Sequence, residues 1–456
     1  MNAQLWAKGL PLDEMIHRFT VGDDPLLDEV LLPYDALGSA AHARTLAHSG
    51  LMSAADAEAL VETLAAIAVR ARQGGLRITQ EQEDAHTAIE TLLIAQLGDT
   101  GKRIHLGRSR NDQVILALRL YMRDAVLDIG TRIAALTRVF IEFARAHLDT
   151  PMPGYTHLRH AMPSSFGLWG VAFAAGLVEE LEALQAVYAR LDRCPSGAAA
   201  GFGTPLPIDR DYTATLLGFS TLQISPVDVM NSRGRHELAL VGSFASTGLV
   251  MEKFLWDVAL YSTSEFGFLD LPDAFTTGSS IMPQKRNPDV VELARARCRE
   301  LRGYAAMIQE LASGLPANYH RDLQLLKRPL FSAVERTREW LDVLIRLVPA
   351  LKVNAKVAAA ACSDELYAVQ QACALVREGM PFREAYRQVA DQIRDGRFHP
   401  DRSAPDIAQA GSIGDPGIER VEAQLGKLSD WLDATRQRLA HREEQVWFSN
   451  QTGVSE

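Results

Sequence analysis

Residues 112–148 read "DQVILALRLYMRDAVLDIGTRIAALTRVFIEFARAHL". No proline interrupts the run, and apolar side chains fall at Val114, Leu118, Tyr121, Ala125, Ile129, Ile133, Leu136, Phe140 and Phe143. Steps of three and four place these side chains on one helical face. Held over thirty residues or more, the pattern predicts a helix of about 50 Å at 1.5 Å per residue. Outward from it the same pattern recurs. A second run covers 164–194, a third about 235–265, a fourth 288 to about 312 and a fifth about 329–351. Stretches rich in Pro, Gly or polar residues separate them, at 149–163, 195–210, 276–288 and 313–324. Five long helices joined by loops describe an elongated bundle, so the predicted class is all-α.

The chain has 456 residues, enough for roughly three domains. The bundle occupies 106–355, and smaller helical domains flank it at 1–105 and 356–456. In the first, 79–97 reads as a helix, with Thr79 and Gln82 at capping-box spacing and Gly98 as its stop. In the last, "MPFREAYRQVADQI" (380–393) is amphipathic. Several bundle helices, Leu168–Leu191 among them, carry apolar residues on more than one face. Such helices bury a second face against another subunit, so an oligomer is expected.

Apolar residues make up 47% of the chain and aromatics only 7%, which favours helix packing over aromatic-rich sandwiches. A net charge of −10 argues against nucleic-acid or anionic-membrane binding. Cys194, Cys298, Cys362 and Cys373 are scattered, as expected of buried thiols in a reducing compartment. "MNAQLWAKGL" shows no secretory pattern, and the uncharged run Pro163–Val178 is too short to span a bilayer. A cytoplasmic location follows as the expectation.

The chemistry-bearing residues lie between the long helices, where a rigid scaffold can position them. "TTGSSIMPQKRNP" (276–288) holds Gly278, the hydroxyls of Ser279 and Ser280, and Lys285. Asn287 and Pro288 suit a helix start, with Asp289 in its first turn. Lys285 beside free helix amides makes an anion site; a capped helix behind a mobile surface loop is the plainer reading. In "GYTHLRHAMP" His157 follows Thr156 in a turn, where a histidine can equally be just solvated. In "HLGRSRNDQV" Arg108 and Arg110 suit carboxylate binding beside Asn111, or form a basic approach to the helix. In "EDAHTAIE" Glu83, His86, Thr87 and Glu90 share one helical face. Two possible ligands without a third make a weak metal site, and a polar face lining a cleft is preferred.

Together these strings identify a resemblance. "TTGSSIMPQKRNP" resembles the signature loop of the fumarase/aspartase superfamily, and the other three are similar to the argininosuccinate lyase branch of it. The resemblance runs in order from about Phe19 to Tyr386. It implies three mostly helical domains and a homotetramer around a twenty-helix core, each active site taking loops from three subunits. It implies reversible elimination of argininosuccinate to arginine and fumarate, as a step of arginine biosynthesis, with no metal or organic cofactor. By position Ser279 corresponds to the base, Lys285 and Asn287 to the carboxylate clamp, and His157, oriented by Glu292, to the group serving the leaving nitrogen. Substrate contacts correspond to Asn111, Thr156, Tyr319, Gln324 and Lys327, with Arg110, Arg233, Asp24, Asp28 and His86 as further candidates.

The match is not uniform. Arg159 and Met162 stand where the family usually has Gln, Leu325 and Leu326 where it has an acidic pair, and Asp24 where it has a serine. Asn231 and Gly234 replace Ser and Asp. By the resemblance, these positions lie mostly around the far end of the substrate. They leave open a second lyase reading, another succinyl-amine C–N lyase that releases fumarate. A catalytically silent structural homologue or a partner-binding helical scaffold would keep the fold without the elimination residues, which are all present here.

Overall fold

A computed structural model describes residues 13–402 and 409–448. The chain is mostly helical, and the five long bundle helices are Arg110–Ala146, Phe166–Leu191, Arg235–Tyr261, Asp289–Ala312 and Lys327–Ala350. Their starts are written in local chemistry. Ser109 Oγ accepts from Asn111 N at 3.3 Å while Asp112 Oδ1 accepts from Ser109 N at 2.8 Å, a capping box. Ser165 Oγ accepts from Leu168 N at 3.0 Å, and Glu237 Oε2 accepts from Gly234 N at 2.7 Å. Gly234 has φ 80°, and a Cβ there would meet Ala312 Cβ at 2.3 Å. The glycine is thus required by both backbone and packing.

The helices alternate in direction. The first packs on the second, the third on the fourth, and the fifth closes against the first and fourth. Phe140 meets Phe254 edge to face at 4.9 Å, and Trp169 and Phe173 join them. Trp340, Leu341 and Leu344 are buried on the fifth helix. The stretch 226–261 is the one among the described residues long and apolar enough to cross a membrane. Half of its most apolar window is buried, with Phe244, Met251 and Phe254 in the bundle core.

The N-terminal helices form a second core from Ala36, Ala40, Leu60, Leu64, Ile89 and Leu93, closed by Phe219 and Val446. Beyond the bundle, Ala368–Arg377 and Phe382–Arg394 pair around Ala372, Ala385, Val389 and Phe398. The last helix, Ile418–Phe448, leaves that pair and lies along the first bundle helix. Leu425, Leu428 and Leu432 enter the bundle core there, because its apolar face needs a partner its own subdomain is too small to supply. Cys194, Cys298 and Cys362 are buried; Cys373 is exposed.

Three local expectations are corrected. The helix expected over 79–97 begins at Ala85. Thr79 and Gln82 do bond reciprocally, at 3.0 and 3.4 Å, but inside a turn. Glu83 then takes φ 66°, which no helix interior tolerates, and Asp84 caps instead, its Oδ1 accepting from Thr87 N at 2.9 Å. The proline-rich loop at 149–163 is an antiparallel hairpin, Pro151–Thr156 against Arg159–Ser165. Proline is tolerated on such unshared edges. Asn287 does not cap its helix: Pro288 occupies the cap, and Asn287 Nδ2 donates to Gly278 O at 3.4 Å.

Candidate active site

Nine sequence-predicted residues line one cavity of about 140 Å³ where the N-terminal helices meet the bundle: Asp24, Asp28, His86, Arg110, Asn111, Arg233, Tyr319, Gln324 and Lys327. Asn111 arrives on the first turn of the first bundle helix. A short 3-10 turn, Arg321–Leu326, presents Gln324 and leads into Lys327. Gln324 Nε2 donates to Thr20 O and Val21 O at 3.2 and 3.0 Å, and Arg321 Nη2 to Thr20 O at 2.9 Å. These bonds dock the N-terminal segment on the bundle and so close the cavity.

The wall is dense in charge. Lys327 Nζ is buried and donates to Asp24 Oδ2 at 3.0 Å and Asp28 Oδ1 at 2.5 Å. Burial raises the Asp24 carboxyl to about 6; Lys327 pulls it down and Asp28 pushes it up. Arg110 bonds Glu83 Oε2 at 3.2 Å and Asp84. Burial alone would raise the Asp84 carboxyl, but His86, Arg110 and the Thr87 amide hold it down at about 2. His86 Nδ1 lies 2.5 Å from Asp35 Oδ2. Burial opposes charge on that ring, yet Asp35, Asp84 and Asp28 outweigh it and raise its pKa. Glu90 turns to His105 instead, at 3.9 Å. Arg233 is engaged inside the fold, Nε with Glu237 Oε1 at 2.9 Å and Nη2 with Leu323 O at 2.8 Å. Sequence reasoning missed Asp84 and Arg321, which also line the cavity. The signal for Asp84 was its place as an aspartate just before "AHTAIETLL"; Arg321 gave none.

The other six candidates lie elsewhere. Thr277–Gly278 pairs with Arg286–Asn287, so 279–285 form an exposed tip. Ser279 Oγ accepts from Met282 N at 3.1 Å. Arg286 anchors the base of the loop on Asp270 and Asp273, at 3.4 and 2.9 Å, and on Leu271 O. At the helix start, the Val291 and Glu292 amides already bond Pro288 O, at 2.9 and 3.2 Å. Among the described residues the amides of Asp289 and Val290 have no hydrogen-bond acceptor, which leaves them for an anion. Thr156, His157 and Glu292 are exposed. His157 and Leu158 form the hairpin turn with φ 53° and 58°, the geometry of a type I′ turn. Leucine is a poor choice there, so the hairpin's pairing imposes that conformation. Among the described residues no hydrogen bond or ion pair joins His157, Ser279, Lys285 or Glu292 to one another.

Tyr155 at the hairpin packs on Tyr261 and Phe266, at 6.2 and 5.9 Å between ring centroids. The hairpin and the 276–288 loop therefore share one end of the bundle, and the cavity lies at the other. The fourth bundle helix, whose 24 residues run between the two ends, spans about 36 Å. The two groups cannot meet on one small molecule within one chain.

A larger cavity of about 310 Å³ lies between Tyr34, Leu120, Leu216 and Leu439. It collects none of the candidates, and its lining is mostly aliphatic. Volume is the poorer guide here; convergent polar groups mark the smaller cavity.

The family model described as lyase matches residues 10–303. The chain is 44% identical over 417 residues to the argininosuccinate lyase of Sorangium cellulosum, covering 91% of this chain and 96% of that one. It is 38% identical over 442 residues to the argininosuccinate lyase of Phocaeicola vulgatus, covering 97% and 99%. Among solved structures it is similar to EDDS lyase in complex with formate, with a TM-score of 0.78 and 24% identity over 98% and 97% of the two chains. It is also similar to 3-carboxy-cis,cis-muconate lactonizing enzyme from Pseudomonas putida, with a TM-score of 0.65 and 18% identity over 94% and 97%. At such identities the solved structures speak for the fold alone.

Proposed function

The chain belongs to the argininosuccinate lyase family, and from that premise we propose that it cleaves argininosuccinate to arginine and fumarate by β-elimination. Ser279 removes the proton from the carbon beside the succinyl carboxylate. Lys285 and Asn287 hold the aci-carboxylate that develops, with the two remaining amides of the helix start. The carbon electrons form the fumarate double bond, the C–N bond breaks, and the guanidino nitrogen takes a proton with the help of His157. The chemistry needs preorganised positive charge, because a carbon acid next to a carboxylate ionises poorly in water. A neutral serine is also a weak base. It works only if Lys285 and backbone amides stabilise its alkoxide.

The observation that carries this reading is the 44% identity to an argininosuccinate lyase over 91% of the chain, with Ser279, Lys285, Asn287 and His157 all in place. The distance between the two residue groups supports a composite site. The cavity of one protomer would hold the leaving amine while the loop and hairpin of neighbours act on the succinyl end. Leu249, Trp256, Leu293 and Met307 are exposed on the third and fourth bundle helices, apolar surface that a helical core between subunits would cover.

Four of the departures from the family pattern weigh little toward another leaving group. Leu325 and Leu326 do not line the cavity: one is exposed and the other is core. Asn231 Oδ1 accepts from Asn318 N at 2.7 Å, and Gly234 is set by its backbone. Both have structural reasons. The test follows fumarate by ultraviolet absorbance, first with argininosuccinate and then with a panel of N-succinyl amines. Release from argininosuccinate is expected; release only from the panel would replace this reading with the second lyase.

A further inference from the structure

The larger cavity, of about 310 Å³, takes no part in the proposed elimination. It lies where three parts of the chain meet: the N-terminal helix Leu32–His48, the first bundle helix and the last helix. Ligand pockets are apolar hollows of about 300–1,000 Å³ with a few convergent polar groups, and this one stands at the lower end of that range. Leu37, Leu120, Leu216 and Leu439 give it an aliphatic wall. Most of the charge around it is spent within the fold. Arg72 pairs with Glu443. Arg123 Nη1 and Nη2 donate to Leu217 O and Gly218 O at 3.2 and 3.1 Å, and its Nε lies 3.5 Å from Asp192 Oδ1.

Two lining charges remain. Arg436 Nη2 donates to Leu127 O at 2.8 Å, and among the described residues its guanidinium meets no carboxylate. Asp124 Oδ2 accepts from Tyr34 Oη at 2.7 Å; among the described residues no donor reaches its Oδ1 and no cation pairs with it. Burial, and after it Asp124, push the Tyr34 pKa up, so that hydroxyl stays a donor and fixes the carboxylate. Leu127 follows Asp124 by three residues. The cation and the anion therefore stand about one helical turn apart, roughly 5 Å, on one stripe, without closing on each other.

We propose that this cavity is a second binding site, for a free α-amino acid with an aliphatic side chain. The side chain fills the space between the leucines, the carboxylate meets Arg436, and the ammonium meets Asp124 Oδ1. A plain carboxylate would leave Asp124 facing a like charge, and a plain amine would do the same to Arg436. A zwitterion on one carbon satisfies both. Bound there, the amino acid ties the N-terminal helices, the bundle and the last helix together, away from the residues proposed for the elimination.

Three probes test this by calorimetric titration into the full-length assembled protein: L-leucine, isocaproate, which lacks the ammonium, and isoamylamine, which lacks the carboxylate. Leucine should bind more tightly than either truncated probe by about 10- to 100-fold, the worth of one charge-assisted hydrogen bond. Asp124→Asn, which keeps an oxygen for Tyr34, should bring leucine down to the level of isocaproate. Arg436→Gln should bring it down to that of isoamylamine. Ala440→Trp, which fills the cavity from the last helix and removes no polar group, should abolish binding of all three. Saturating argininosuccinate should not displace leucine. Displacement would put the ligand in the smaller cavity and overturn the inference. Equally contrary results are no binding of leucine, binding of either truncated probe as tight as leucine, or a leucine affinity that the variants leave unmoved. If a charge variant fails to assemble, the order of the probes on the unmodified protein and the Ala440→Trp variant still decide.

Discussion

Ser279 sits in a turn that its own hydroxyl helps to close, accepting from Met282 N at 3.1 Å. A hydroxyl already accepting from an amide is a better alkoxide than a free one, because the same donor stabilises the charge. Ser279→Ala should lower turnover by about 10²- to 10⁴-fold, the range for losing a general base, with the oligomer unchanged in sedimentation. Near-normal turnover would remove Ser279 from the mechanism. Across the bundle, Asp84 makes a pH prediction. Unfolded aspartates titrate near ~4 and Asp84 in the fold near 2. The unfolded state therefore holds more protons in that window, and stability falls as pH drops through it. Asp84→Asn, which keeps an oxygen to cap Thr87 N, should cost about 1–2 kcal/mol near neutral pH from the lost charge interactions with Arg110 and His86. The difference from the unmodified protein, read by denaturant unfolding, should shrink between pH 4 and 2. The residues around Ser279 were legible because a short string holds them all. Asp84 was legible only as a helix cap; its place in the cavity, like that of Arg321, comes from facing residues far away in the sequence.

At the scale of elements, the hairpin that carries His157 is held by a close approach. Gly167 N donates to His147 O at 2.9 Å, and a Cβ on Gly167 would meet Leu148 Cα at 2.6 Å and Ala144 O at 2.9 Å. These are backbone atoms, which cannot yield as a flexible side chain would. Gly167→Ala should destabilise by about 1–3 kcal/mol and also reduce turnover, since it shifts the strands leading to His157. Equal unfolding midpoints for the two proteins would contradict this. The helices were readable because a 3.6-residue period needs nothing outside the segment. The hairpin was not, because its strands exist only as each other's hydrogen-bond partners, and prolines masked them as a loop.

The whole molecule presents the problem of distance. Nine candidates line a cavity at one end of the bundle, and the residues proposed for the elimination stand a helix length away. If sites form between protomers, two inactive variants should complement. Ser279→Ala and Asn111→Ala, dissociated and reassembled together, should regain fumarate release that neither shows alone. Mixed assemblies with no more activity than the parents would require a site within one chain. Sedimentation should give a tetramer, and a stable monomer would remove the composite site altogether.

The sequence by itself determined the long helices and brought together the candidate residues of the 276–288 loop. Those depend on local periodicity, on proline and glycine, and on residues adjacent in the chain. Tertiary structure decided that Lys327 faces Asp24 and Asp28, that Arg233 is bound within the fold, and that Leu325 and Leu326 lie off the cavity. It also decided that the two groups of candidate residues occupy opposite ends of the bundle. Burial and long-range pairing set these features, and both arise only when segments some 300 residues apart, as Asp24 and Lys327 are, pack into one wall.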